Sequence, residues 1–135
     1  MLVLDAAVAA SWCFADEGSH VAAAAYELAA VEPVSVPALF WFELRNTLLM
    51  GERRARLTHE WVRGSLRNLD GLLIDIDRTP GEEAIFALAL RHRPTVYDAA
   101  YLELAIRKRV PLATLDRELI AAARAEDVRV VGDSV

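Results

Sequence analysis

Thr95-Val96-Tyr97-Asp98-Ala99-Ala100-Tyr101-Leu102-Glu103-Leu104-Ala105 sets a carboxylate at the start of a helix and follows it with small and apolar residues that must pack inward. Thr95 has the side chain of an N-cap, and Asp98 stands three residues on, where a capping-box acid stands. Continued to Arg109, so apolar a run predicts a helix buried on more than one side. Such a helix needs a sheet beneath it, and the flanking sequence supplies short strands.

Leu2-Val3-Leu4 is an apolar run ending in Asp5 and reads as a buried strand. Ala6 to Phe14 has helical propensity and little polar surface; Ser19, after Gly18, caps an alanine-rich helix from Val21 to Ala30. Pro33 and Pro37 bracket a β-branched strand, Val34-Ser35-Val36, before a helix from Ala38 to Met50 that Gly51 punctuates. Thr58 caps a helix to about Asn68, Gly71 ends it, and Leu72 to Asp77 alternates into a third strand. Thr79 as N-cap, with Glu82 three residues on, opens a helix to about His92. Pro111 to Leu115 is a fourth strand leading into Asp116, Arg117 to Glu126 a final helix, and Val128 to Val131 a fifth strand. Strands alternating with helices predict a single α/β domain over residues 1–135, a parallel sheet covered on both faces in three layers.

With 135 residues, 55% of them hydrophobic, the chain can bury a core without disulfides or structural metal. Cys13 is the single cysteine and the three histidines are scattered, so no zinc site is expected and a reducing cytoplasm is the expected setting. Ala6 to Ala15 imitates the apolar region of a signal peptide, but no Lys or Arg precedes it and Asp5 interrupts it. No charge-free run is long enough for a bilayer, and no membrane partner is expected. A net charge of −5 argues against a sequence-independent nucleic-acid coat. The positive charge is nearly all arginine, clustered at Arg53, Arg54 and Arg56, at Arg91 and Arg93, and from Arg107 to Arg109. Such clusters suit phosphate or are solvated helix ends.

Four acids stand at comparable junctions: Asp5, Glu43, Asp98 and Asp116. Ligands of open parallel sheets bind beyond the carboxyl ends of the strands, where Asp5 and Asp116 emerge and where the helix starting near Asp98 faces. Glu43 has Leu39, Phe40 and Thr47 one turn away and is expected to face inward. Each acid also has a plainer reading: Asp98 as a capping-box acid, Asp116 as an N-cap, Asp5 as an acceptor for the amides of the next helix. Glu43 resists one, because a carboxylate on an apolar helix face needs a partner. Carboxylates sharing a cleft repel and take up protons unless a cation neutralises them. Oxygen donors without convergent His or Cys select Mg²⁺ or Mn²⁺. Such an ion holds a phosphate oxygen, lowers the pKa of bound water and stabilises a leaving oxygen. It also lets a net-negative protein accept a polyanion.

Val3-Leu4-Asp5-Ala6, Pro37-Ala38-Leu39 leading to Glu43 and Asn46, Tyr97-Asp98-Ala99-Ala100-Tyr101-Leu102, and Leu112-Ala113-Thr114-Leu115-Asp116 resemble the motifs of PIN-domain proteins. The last two are similar to those of VapC toxins of bacterial type II toxin–antitoxin modules, and the resemblance covers nearly the whole chain. It implies a five-stranded parallel sheet, order 3-2-1-4-5, and Mg²⁺- or Mn²⁺-dependent endoribonuclease activity. It further implies that Asp5 and Asp98 ligate the ion most directly, that Glu43 and Asp116 complete the site partly through water, and that a metal-activated water attacks the phosphodiester. Thr114 and Asn46 are implied as supporting residues, Thr114 as one that orients Asp116. The family often carries a hydroxyl two positions after its first aspartate; here Ala7 stands there, and Ser11, one turn on, is a candidate substitute.

The implied partners are an RNA substrate, a VapB-like antitoxin whose C-terminal segment covers the cleft, and a second copy in a homodimer. Trp12, Phe14, Phe40, Trp41, Phe42 and Trp61 are more aromatics than two short helical regions usually bury, which suits an exposed apolar groove. A phosphoacceptor switch would want adjacent acids after the first strand, and an Asp-x-Asp phosphatase a second acid at Ala7; neither is present. The remaining alternatives are a housekeeping RNA-processing nuclease without an antitoxin and a non-catalytic interaction domain on the same fold. The latter is expected to have lost one of the acids, and all four are present.

Overall fold

In a computed structural model, described for residues 1–133, β1 (Leu2–Leu4) is the fully buried centre of a parallel sheet. It pairs on one side with β2 (Val34–Pro37), with Leu2 opposite Val34. On the other side it pairs with β4 (Leu112–Ala113), with Leu4 opposite Ala113. β3 (Ile74–Asp77) forms the outer edge against β2, giving the order β3-β2-β1-β4. The helices are α1 (Ala6–Ser11), α2 (His20–Val31), α3 (Leu39–Arg53), α4 (His59–Asp70), α5 (Glu82–His92), α6 (Val96–Lys108) and α7 (Arg117–Ala125). The α/β architecture expected from the alternating pattern is the one observed.

The expected fifth strand, Val128 to Val131, is a single parallel bridge between Val130 and Leu112. Leu112 donates to Arg129 O at 2.9 Å and accepts from Val131 N at 3.0 Å. Two things stop the ladder there. β4 itself is only two residues long, and Gly132 adopts a φ of +95° that turns the chain away. The order 3-2-1-4-5 therefore holds with four true strands and one bridge in the fifth place.

Other boundaries shift for local reasons. α1 ends at Ser11 instead of Phe14, and tight turns carry the chain on, Cys13 N–H reaching Ala10 O at 2.9 Å. Thr79 does not cap α5; Gly81 holds the N-cap position, and the Thr79 hydroxyl bonds Asp77 instead. Pro80 disfavours helical backbone at Thr79, and Gly81 lies so close to the Glu103 carboxylate that a Cβ there would collide with it. No described helix is long and apolar enough to cross a membrane.

α6 runs through the middle of the molecule. Ala99 to Ala105 are all buried, including Glu103, and this explains a sequence with no polar face. Glu103 is tolerated because Arg107, one turn on, bonds it at 2.8 Å and reaches past it to Asp77 at 2.7 Å and 3.1 Å. Removing a partner from a buried ion pair leaves an uncompensated charge, at about 3–5 kcal/mol when sealed. Arg107 is about one-third exposed, so Arg107→Ala is expected to cost less, about 2–3 kcal/mol. Urea unfolding checks this, and a loss below about 1 kcal/mol would mean that water reaches both acids.

Candidate active site

Asp5 leaves the end of β1 directly into α1, where only 7% of it is exposed. Its Oδ1 accepts from Ala7 N–H at 3.3 Å, as an N-cap does, and its Oδ2 accepts from the Thr114 hydroxyl at 2.9 Å. The same hydroxyl accepts the Asp116 amide at 3.1 Å. Thr114, fully buried just beyond β4, thus ties the first and last acids together. It orients Asp5 through the carboxylate and Asp116 through the backbone.

Asp98 sits in the first turn of α6, half-buried, its amide donating to the Thr95 hydroxyl at 3.1 Å. The cap bond itself is made by the backbone amide, and the Thr95 hydroxyl also lies close enough to the carboxylate to favour its ionised form. Glu43 is half-buried on α3, and its Oε1 accepts from the Tyr101 hydroxyl at 2.7 Å. Asp116 is the N-cap of α7, accepting from Leu119 N–H at 3.0 Å. The plainer readings of Asp5 and Asp116 are therefore realised, alongside their convergence.

The electrostatics show which acids share space. Burial pushes Asp5 up from the usual carboxylate range to about 6, against the Thr114 and Ala7 bonds and helped by the charges of Asp98 and Glu43. Glu43 is raised by burial and by Asp98, against its bond from Tyr101. Asp98 is raised by burial and by Asp116, with Thr95 opposing and Glu118 adding to it. Asp98 is thus the hub that reaches all three other acids. Glu118, in the first turn of α7, adds a fifth carboxylate that sequence reading had passed over. Its signal was present, two positions beyond Asp116 at a helix start that faces the same edge.

Two expected contributors make no hydrogen bond to the acids. Asn46 is exposed one turn along α3 and takes no part in the bonded set. Ser11 does not replace a hydroxyl at Ala7: it is buried and donates to Val8 O of its own helix at 2.6 Å. Several arginines are already committed to acids. Arg56 pairs with Asp16 and Glu17, Arg91 with Glu126, and Arg107 with Asp77 and Glu103.

Among the described residues, no three His, Cys, Asp or Glu side chains come together tightly enough to enclose a metal ion. The carboxylates line an open edge. Their donor chemistry fits a hard divalent cation all the same, since Mg²⁺ keeps several waters and needs only one or two carboxylates. The crowding and burial that disfavour the ionised forms of Asp5, Glu43 and Asp98 are the condition a cation relieves.

A groove of about 730 Å³ lies apart from the acids, between the end of α1, α2 and α4. Trp12 and Trp61 wall it, with Tyr26 edge-on to Trp12 at 5.2 Å. Each indole N–H is satisfied internally, Trp12 by Ala22 O at 2.9 Å and Trp61 by Cys13 O at 2.8 Å. The rings are left as apolar surface. Phe14 and Phe40 are core, while Trp41 and Phe42 meet edge-on on the outside of α3.

A parallel sheet of this order, with acids gathered where β1 and β4 end and α6 begins, defines a PIN domain. The PIN domain pattern matches residues 2–125, and the chain belongs to the PIN-domain family. Within that family it is of the VapC type. It is 34% identical over 121 residues to Ribonuclease VapC3 of Pyrobaculum aerophilum, covering 87% of this chain and 91% of that one. Two crystal structures share the fold. PAE2754 from Pyrobaculum aerophilum has a TM-score of 0.70 at 21% identity, covering 90% of this chain and 83% of that one. Mycobacterium tuberculosis VapC20, described as a toxin cleaving the sarcin–ricin loop, has a TM-score of 0.60 at 17% identity, covering 90% of this chain and 95% of that one.

Proposed function

We propose that this protein is a metal-dependent endoribonuclease, the toxin of a toxin–antitoxin pair. The observation that carries the reading is the gathering of carboxylates from four separate elements, Asp5 buried, Glu43 and Asp98 half-buried and Asp116 exposed, with Thr114 bonding Asp5 and Tyr101 bonding Glu43. Natural chains keep so unfavourable an arrangement for function more often than for stability. The relationship to a protein named as a ribonuclease supports RNA as substrate.

Asp5 and Asp98 would ligate Mg²⁺ or Mn²⁺ most directly, with Glu43 and Asp116 completing the site partly through water. A bound ion would supply an acidified water and neutralise charge on the phosphodiester. The chain's own part is to fix the donors. Thr114 and the Ala7 amide together fix both oxygens of Asp5, and the backbone cap at Thr95 fixes the helix start that carries Asp98. Incubating the protein with a single-stranded RNA and its DNA counterpart in Mg²⁺ tests the substrate reading. RNA cleavage with DNA spared is expected; intact RNA would contradict it.

The apolar groove suits a VapB-like antitoxin. Its rim carries Glu27 and Glu60, which favour an apolar segment with basic flanks. Trp61 is 56% exposed, and truncating such an interface anchor typically costs about 2 kcal/mol or more. Trp61→Ala is therefore expected to weaken antitoxin binding roughly 30-fold while the free protein cuts RNA as before. Calorimetry with the cognate partner checks this, and unchanged affinity would place the antitoxin elsewhere. The Trp41 and Phe42 face, with Phe42 70% exposed, suits a second copy in a homodimer. Sedimentation equilibrium reads that directly, and a monomer at micromolar concentration would contradict it.

A further inference from the structure

Tyr101 is the largest side chain sealed completely from solvent, in a place where phenylalanine would fill the same space. A buried phenol has to give its hydroxyl a partner. Tyr101 gives it to Glu43 Oε1 at 2.7 Å, on a helix 58 positions away in sequence. The charge of Asp5 is felt at the same phenol, and the Ala6 amide acts on it as well. One hydroxyl therefore stands where the β1–α1 turn, α3 and α6 meet. Burial, then the Glu43 bond and the nearby charges, push this phenol far above its usual range. Toward a carboxylate, which only accepts, the hydroxyl is the donor.

Glu43 has need of that donor. α3 buries Phe40, Leu44 and Leu48 and exposes Trp41, Phe42, Asn46 and Thr47, so Glu43 stands at the border of the two faces. A glutamate there has three side-chain torsions free and two like charges, Asp5 and Asp98, pushing it outward. Extended into water, it would be lost to the acidic edge.

We propose that Tyr101 is a positioning residue of this site: its buried hydroxyl holds the Glu43 carboxylate inward beside Asp5, so that both can serve one cation. The inference rests on the metal-site reading above. Its test is Mn²⁺ binding by calorimetry for wild type, Tyr101→Phe, Glu43→Gln and the double variant, with thermal melts of the metal-free proteins. Tyr101→Phe is expected to bind Mn²⁺ about tenfold more weakly, as loss of an outer-shell partner does. Its metal-free melt is expected to stay near wild type, and the double variant to lose no more affinity than Glu43→Gln alone. Tyr101→Phe binding Mn²⁺ like wild type, or the two single losses adding up in the double variant, would overturn the inference. Wild-type protein that takes up no Mn²⁺ would overturn the metal-site reading itself.

Discussion

Asp98→Asn and Asp5→Asn are each expected to lower Mg²⁺-dependent RNA cleavage by at least about 100-fold, since losing even an outer-shell partner of a metal ligand typically costs 10–100-fold. Both substitutions keep the shape of the side chain and one of its oxygens. Asp98 makes its cap bond to Thr95 through the backbone amide, which asparagine retains, so the start of α6 survives. What disappears is the charge at the hub of the acids, the one that Asp5 and Glu43 both feel. Circular dichroism unchanged from wild type, with cleavage lost, is the expected pair of results. Full cleavage by Asp98→Asn would remove Asp98 from the site.

The second large effect runs the other way, in stability. Metal-free wild-type protein carries Asp5 with its pKa raised from 3.8 to about 6, chiefly by burial. The folded state thus holds this proton more tightly than the unfolded state does. The stabilisation is full below 3.8 and is lost as pH rises through about 6. At neutral pH the ionised, buried group costs about 3 kcal/mol relative to its protonated form, taking about 1.4 kcal/mol per unit. Asp5→Asn removes that cost. It also disturbs one bond, because the Ala7 N–H and the Thr114 hydroxyl donate to different oxygens of Asp5 and asparagine has an NH₂ in place of one of them. Allowing about 1 kcal/mol for that bond, the variant is expected to be more stable than wild type at pH 7 by about 2 kcal/mol. The gap should shrink toward pH 4.5 and level off above about pH 6. Urea unfolding across that range checks it, and a gap independent of pH would contradict it. A site that is stabilised by losing its own acid is one kept for function.

Local chemistry made much of this legible. Leu2-Val3-Leu4 and Val34-Ser35-Val36 are short apolar runs with firm punctuation, and both became central strands. The relentlessly apolar Ala99 to Ala105 announced a helix with no solvent face, and α6 has none there. The acids could be placed because strand ends and helix starts share one edge of a parallel sheet.

What stayed hidden depends on partners distant in sequence. Thr114 reaches Asp5 across 109 positions, so its primary tie to Asp5 over Asp116 could not be read from its neighbours. Gly81 takes the cap position of α5 while the Thr79 hydroxyl turns to Asp77, and the side-chain-free position is set by Glu103, from another helix. The fifth strand shrank because pairing needs a partner of matching length, and β4 offers two residues. Asn46, singled out by motif alone, had no local argument behind it, and it lies outside the bonded set.

The central claim is that these carboxylates work through a bound divalent cation. Its most direct test is cleavage of a 5′-labelled single-stranded RNA after exhaustive chelation, followed by stepwise return of Mn²⁺. The account predicts no cleavage in chelator and saturable recovery with added Mn²⁺ in wild type, with no recovery in Asp98→Asn. Cleavage that continues undiminished in chelator would contradict it.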